Sequence, residues 1–218
     1  MINLNDYEKI LIGLGSYFDT KVDESLDELD KLNIISNSDD NEIYDILKKI
    51  LADKDYFIVT TCRDGKLINS GLKNVVAPCG GFRYLQCEND CEHELLEYKS
   101  SMSKEALICP HCKGKVVFNR LPIEHYNEGG YMEDWEEYNR WLQSSINKKL
   151  LILELGVDLS YPSVIRFATE KLCFFNQKSK MYRVHPTLAF STPEIKERCE
   201  SVMGDPLTFM KENFNESI

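Results

Sequence analysis

The chain has 218 residues, 43% of them apolar and 11% aromatic, enough for the core of one domain or of one domain with an insert, which excludes disorder as the default. Lys and Arg number 26 against 36 Asp and Glu, and the formal net charge of −10 would repel a phosphate backbone, so no nucleic-acid partner is expected. No apolar run reaches the ~18 residues of a membrane span and residues 1–6 lack the features of an export signal, so the chain is expected in the cytoplasm, away from membranes.

In chain order, Lys9-Ile10-Leu11-Ile12-Gly13-Leu14 reads as a buried strand followed by Gly15-Ser16. Leu26, Leu29 and Leu32, then Ile43, Ile46, Leu47 and Ile50, recur at spacings of three and four and predict two amphipathic helices split by the polar residues 36–41. Residues 56–61 are β-branched and aromatic, a second strand, and Asp64-Gly65 after them is turn chemistry. Val75-Val76-Ala77 predicts a short third strand closed by Pro78-Cys79-Gly80-Gly81.

From 84 to 119 the character changes to cysteines, charges and short β-prone pieces, an inserted module that divides the rest into 1–83 and 120–218. A helix over 133–146 then carries Trp135, Tyr138, Trp141 and Leu142 on one face, as a packing stripe. Residues 150–156 form the most continuous apolar run, the pattern of a strand covered on both faces of a parallel sheet. A helix over 163–174, a strand over 181–184 and a helix start at Thr192-Pro193-Glu194 complete the pattern, and Cys173 and Cys199 fall in helical surroundings as small buried hydrophobes. Strands alternating with helices predict a Rossmann-type parallel α/β sheet whose ligand crevice lies at the strand C-terminal ends.

Eight cysteines without an export signal point to metal binding or thiol chemistry. Cys87, Cys91, Cys109 and Cys112 are spaced C-x3-C-x17-C-x2-C, with Pro110 inside the second pair and Gly114 just past it. Two close pairs on tight knuckles bring four thiolates to the corners of a tetrahedron, the pattern of a zinc ribbon. Four sulfur ligands leave no position for water, so this zinc would be structural. Separately, Gly13-Leu14-Gly15 at the end of the first strand supplies two glycines of a dinucleotide loop, with Phe18 where a third would stand. Backbone N–H groups in such a loop suit a pyrophosphate, although glycine pairs at strand ends also serve as ordinary turns.

Together these pieces resemble the sirtuin family over residues 10–205. Gly13-Leu14-Gly15-Ser16 resembles the family's G-A-G-x-S, and residues 57–64 are similar to its strand ending in T-x-N-x-D. Cys79-Gly80 falls where the family has its catalytic H-G, eight residues before Cys87. Residues 153–158 resemble the strand that opens the adenosine-binding loop, and the helix with Trp135 and Trp141 looks like the branch sometimes encoded beside macrodomains. The resemblance implies NAD and zinc as cofactors, and transfer of an acyl group to ADP-ribose or of ADP-ribose to protein. It places Gly13, Gly15 and Ser16 on the pyrophosphate, Cys62 and Asp64 on the nicotinamide side, Gly156 and His185 on the adenosine side, and Cys79 in the catalytic position.

The departures from the family are as specific as the match. Cys79 stands in place of the histidine base, and a thiol of pKa ~8.5 is a poor general base at neutral pH though a capable nucleophile. Cys62 replaces an amide with a weak S–H donor, His185 stands where that branch has an asparagine, and residues 17–55 are short for a cofactor loop plus helical region. Two functional readings follow: an NAD-dependent transferase acting on protein, with ADP-ribosyl transfer favoured over deacylation, or a catalytically impaired relative that serves as a binding or regulatory module for a protein partner.

Overall fold

The computed structural model describes residues 1–23, 25–102 and 104–214. The strands and helices in chain order are β1 (Lys9–Leu14), α1 (Glu28–Ser36), α2 (Glu42–Leu51), β2 (Tyr56–Thr60), α3 (Lys66–Asn69), β3 (Val75–Val76), β4 (Gly80–Cys87), β5 (Leu96–Glu97), β6 (Val116–Arg120), α4 (Met132–Ser144), β7 (Leu150–Leu155), α5 (Arg166–Phe175), β8 (Ser179–His185), β9 (Cys199–Met203) and α6 (Pro206–Phe214). Six strands form a sheet in the order β3-β2-β1-β7-β8-β9, every neighbouring pair parallel. The chain runs outward from β1 through β2 to β3, then returns to β1's other side as β7, so the order reverses at β1. Such a switch point opens a crevice at the carboxyl ends of the strands.

Every residue of β1, β2 and β7 is buried, which is why these strands read as unbroken apolar runs. Ile43, Leu47 and Ile50 of α2 pack with Phe209 and Met210 of α6 in one cluster, and Tyr138 of α4 packs with Cys173 of α5 in another. The run at β7 also holds Glu154, which takes Nε and Nη2 of Arg183 at 2.7 and 2.9 Å and Nη1 of Arg166 at 3.2 Å, all three side chains almost fully buried. Arg166 and Arg183 in turn donate to the Phe190 carbonyl, which ties the segment after β8 to the sheet.

β4, β5 and β6 make a separate antiparallel sheet in the order β5-β4-β6, and its core of Phe82, Leu85, Cys109, Val116 and Phe118 also takes Ile35 from α1. Two expectations fail at the C-terminal end. Thr192-Pro193-Glu194 begins only a 3-10 turn, Pro193–Ile195, and the helix starts instead at Pro206. Cys199 is buried as expected but lies on the edge strand β9, not in a helix. Among the described residues no helix is long and apolar enough to cross a membrane; residues 215–218 lie outside them.

Candidate cofactor cleft and metal centre

The four Sγ atoms of Cys87, Cys91, Cys109 and Cys112 lie within 4.8 Å of one another, with Cys87–Cys112 at 3.4 Å, Cys91–Cys109 at 3.5 Å and Cys87–Cys91 at 3.6 Å. Four sulfurs at Zn–S distances of about 2.3 Å around one ion stand roughly 3.8 Å apart, so this cluster is compatible with zinc. Each knuckle turns on a left-handed residue, Asp90 (φ 49°) in the first and Lys113 (φ 61°) in the second. Asn89 Nδ2 and the Gly114 N–H both donate to the Cys112 Sγ and bring that thiol down to about 6.

At the switch point, β1 ends in Leu14, level with Thr60 of β2 and Leu155 of β7. Gly13 lies inside β1, where an added Cβ would stand 2.5 Å from Ile165 Cγ2, so its smallness serves packing of the sheet against the start of α5. Gly15 leaves the sheet against backbone: a Cβ there would stand 2.0 Å from the Gly156 carbonyl oxygen. Ser16–Phe18 then form a 3-10 turn. The Gly15 N–H donates to Leu155 O at 2.8 Å, Tyr17 N–H to Gly156 O at 3.3 Å, Phe18 N–H to Gly15 O at 3.2 Å and Asp19 N–H to Ser16 O at 3.0 Å. Ser16 Oγ donates to Asp158 Oδ2 at 2.7 Å.

The loop after β2 closes the other side. Thr60 Oγ1 donates to Leu14 O and accepts the Cys62 N–H, while Cys62 Sγ donates to Gly15 O at 3.1 Å. Burial pushes the Cys62 thiol well up, with the charges of Asp19 and Asp64 adding to it, so Cys62 is a proton-bearing clasp on the glycine loop. Asp64, almost buried, accepts from Thr20 N–H at 3.0 Å, Thr20 Oγ1 at 3.2 Å and Lys66 N–H at 3.0 Å. Asp19 is a site residue that sequence reasoning missed. Its Oδ1 accepts the Arg63 and Asp64 N–H groups at 2.7 and 3.0 Å, while its Oδ2 is buried without a hydrogen bond, 3.8 Å from Arg63 Nε. Burial, with the neighbouring Asp64 charge, pushes this carboxyl up to about 6. Ser16, Asp19, Arg63, Asp64, Phe82 and Arg120 line a cleft of about 520 Å³.

On the adenosine side of the expected site, Gly156 has φ 61° and lies under the Tyr17 ring, where a Cβ would stand 2.4 Å from Tyr17 Cβ. His185, at the end of β8, accepts the Thr187 and Leu188 N–H groups on Nδ1 at 3.0 and 2.9 Å, which leaves the proton on Nε2. Burial and the nearby Arg166 hold this imidazole below its usual range, so it is neutral at pH 7. The fold thus brings Gly15, Ser16, Cys62, Asp64, Gly156 and His185 to one edge of the sheet. It does not bring Cys79 to an accessible surface: that side chain is fully enclosed, and burial pushes its thiol up to about 12 despite the pull of Arg63. A thiol so placed is neither a base nor a nucleophile at neutral pH.

No protein-family model matches the chain. A curated relative, a probable bifunctional ADP-ribose hydrolase/ADP-ribosyltransferase from Fusarium oxysporum f. sp. cubense, is 26% identical over an alignment 164 residues long, and the match covers 65% of this chain and 28% of that protein. The chain therefore spans little more than a quarter of the curated relative it matches. Among solved structures, a Sir2 homolog–NAD complex superposes with a TM-score of 0.59 at 12% identity, over 97% of this chain and 90% of that one. Sir2 with a p53 peptide and NAD+ gives 0.61 at 14% identity, over 98% and 95%. A Sir2 complex with the inhibitor EX-527, 2'-O-acetyl-ADP-ribose and deacetylated p53 peptide gives 0.60 at 15% identity, over 98% and 95%. The fold is that of the sirtuins, a Rossmann-type sheet with an inserted four-cysteine ribbon.

Proposed function

We propose that this chain is a sirtuin-type, NAD-dependent ADP-ribosyltransferase that acts on protein and carries a structural zinc. The observation that carries the reading is the cleft at the β1 switch point, where the glycine loop, Asp64 and Asp19 converge while the position of the family's base is an enclosed thiol. ADP-ribosyl transfer needs an oriented leaving group and acceptor more than a base at position 79, and the Fusarium relative bears a transferase name. Residues 84–119 would be the metal module, and 1–83 with 120–218 the cofactor domain.

The sulfur spacings fit zinc, so Cys87, Cys91, Cys109 and Cys112 would hold it, with no ligand position left for water. The cleft, about 520 Å³, is of the size that small-molecule sites take, and Ser16 is among the residues that line it. Ser16 and the loop from Gly15 would then meet the pyrophosphate, Asp64 the nicotinamide amide, and the Nε2–H of His185 the adenosine end. Bound NAD would supply an ADP-ribosyl group with nicotinamide as its leaving group. Cys62 keeps its proton and holds Gly15 in place. Asp19 steadies the Arg63-Asp64 backbone, and through it the carboxylate that orients the amide.

A second reading, a binding or regulatory module, is favoured by the enclosure of Cys79 and by the hydrogen bonds that already occupy the glycine loop. Calorimetric titration of the zinc-loaded chain with NAD and with ADP-ribose separates the two. Heat of binding, a raised melting temperature and nicotinamide release in the presence of a protein acceptor are expected. No heat and no thermal shift, with zinc present, would overturn the transferase reading in favour of the module.

A further inference from the structure

In the glycine loop the two side-chain hydroxyls beside the expected pyrophosphate position, those of Ser16 and Tyr17, are already taken by acids of this chain. Ser16 Oγ donates to Asp158 Oδ2 at 2.7 Å, and Asp158 is held in that position by Ser160, whose N–H reaches Oδ1 at 2.9 Å and whose Oγ reaches Oδ2 at 3.1 Å. Burial acts to raise Asp158, but the hydrogen bonds from Ser16 and Ser160 outweigh it and keep the carboxyl below its ordinary range, so it is an anion at neutral pH. One residue on, the Tyr17 hydroxyl donates to Asp205 Oδ2 at 2.6 Å while its ring lies on Gly156. Asp205 is fixed in turn by accepting the Thr208 N–H at 2.7 Å in the first turn of α6. Two carboxylates thus clamp consecutive loop residues to the segment after β7 and to the start of α6, and the amides of residues 15, 17, 18 and 19 donate to carbonyls of the loop itself and of β7's end.

A carboxylate on a hydroxyl is a small-scale substitute for a phosphate on the same hydroxyl: it accepts the same hydrogen bond and carries the same sign of charge. An incoming diphosphate must displace it, and until it does it meets a fixed negative charge a few ångströms away.

We propose that the Ser16–Asp158 and Tyr17–Asp205 pairs form an autoinhibitory latch, with Asp158 an internal competitor for the phosphate position, so that diphosphate ligands enter only after the loop is released. The proposal rests on the cofactor reading above and adds to it a residue that sets affinity. A ligand without phosphates has no quarrel with Asp158, so the latch discriminates by phosphate charge and not by the nucleoside.

The test is calorimetry on the full zinc-loaded chain, with ADP-ribose and adenosine as probes, for the wild type, Asp158→Asn, Asp158→Ser and Tyr17→Phe. Removing the carboxylate charge should tighten ADP-ribose by roughly tenfold or more while leaving adenosine unchanged, and Tyr17→Phe, which frees only the second pair, should tighten it less. Equal ADP-ribose affinity in wild type and variants overturns the latch and leaves the cofactor reading standing. Absence of ADP-ribose binding in all four proteins overturns both. If an Asp158 variant fails to fold, Tyr17→Phe decides: unchanged affinity there overturns the latch.

Discussion

Asp19 shows how a single carboxylate can be costly and still be kept. One oxygen serves two backbone N–H groups and the other is buried without a hydrogen bond; burial, with the neighbouring Asp64 charge, outweighs the two N–H bonds and pushes the carboxyl up to about 6. Since the folded chain holds this proton more tightly than the unfolded chain, stability falls as pH rises through the window from about 4 to about 6, and the penalty is complete above it. Asp19→Asn keeps the accepting oxygen and removes the charge. It should raise stability at pH 7.5 by about 1–2 kcal/mol in urea unfolding and have little effect near pH 4; equal effects at the two pH values would refute the assignment. Neither Asp19 nor Asp158 was legible in the sequence as a site residue. Ser16 and Asp158 are 142 positions apart and meet only because β1 and β7 end level. Cys79 was legible by position, but its enclosure depends on what the tertiary structure lays over it.

At the scale of elements, the parallel strands were legible because burial on both faces leaves almost no polar residue in β1, β2 or β7. β9 was not: it is an edge strand with one buried residue, Cys199, and no run to read. At the helix start expected at Thr192 the proline does stand in the first turn, but Thr192 makes no side-chain cap and only one 3-10 turn forms before the chain re-enters the sheet. Glu154 is the polar exception within β7, and its periodicity says nothing of why it is tolerated. The reason is the pair of arginines from α5 and β8, each also bound to carbonyls of the segment after β8. Glu154→Ala should therefore cost about 3–5 kcal/mol, since it strands two buried guanidinium groups, whereas Glu154→Gln should cost less. A loss below about 1 kcal/mol for Glu154→Ala, by thermal or urea unfolding, would mean that the arginines find other partners.

For the whole molecule, the cysteine cluster and the cleft at the β1 switch point are joined by one small core. Cys109, a predicted zinc ligand, packs with Phe82, Phe118 and Val116, and Ile35 of α1 completes that cluster. Phe82 and Arg120, on β4 and β6, also line the cleft, with the Arg120 guanidinium 4.9 Å over the Phe82 ring. The parallel sheet, by contrast, packs against α2, α4, α5 and α6 in clusters that contain none of the four ligand cysteines. Metal removal should thus unfold the ribbon and loosen one wall of the cleft without melting the sheet. Hydrogen exchange after chelation should show lost protection in β4, β6 and α1 and retained protection in β1, β7 and β8. Retained protection throughout would mean that the ribbon holds its shape without metal; uniform loss would mean that sheet and ribbon unfold as one unit and that the zinc stabilises the whole protein. Loss confined to the ribbon is the expected outcome because the central strands β1, β2 and β7 are buried along their whole length, while the ribbon, with a core of only a few side chains, depends on the four sulfurs being tied together.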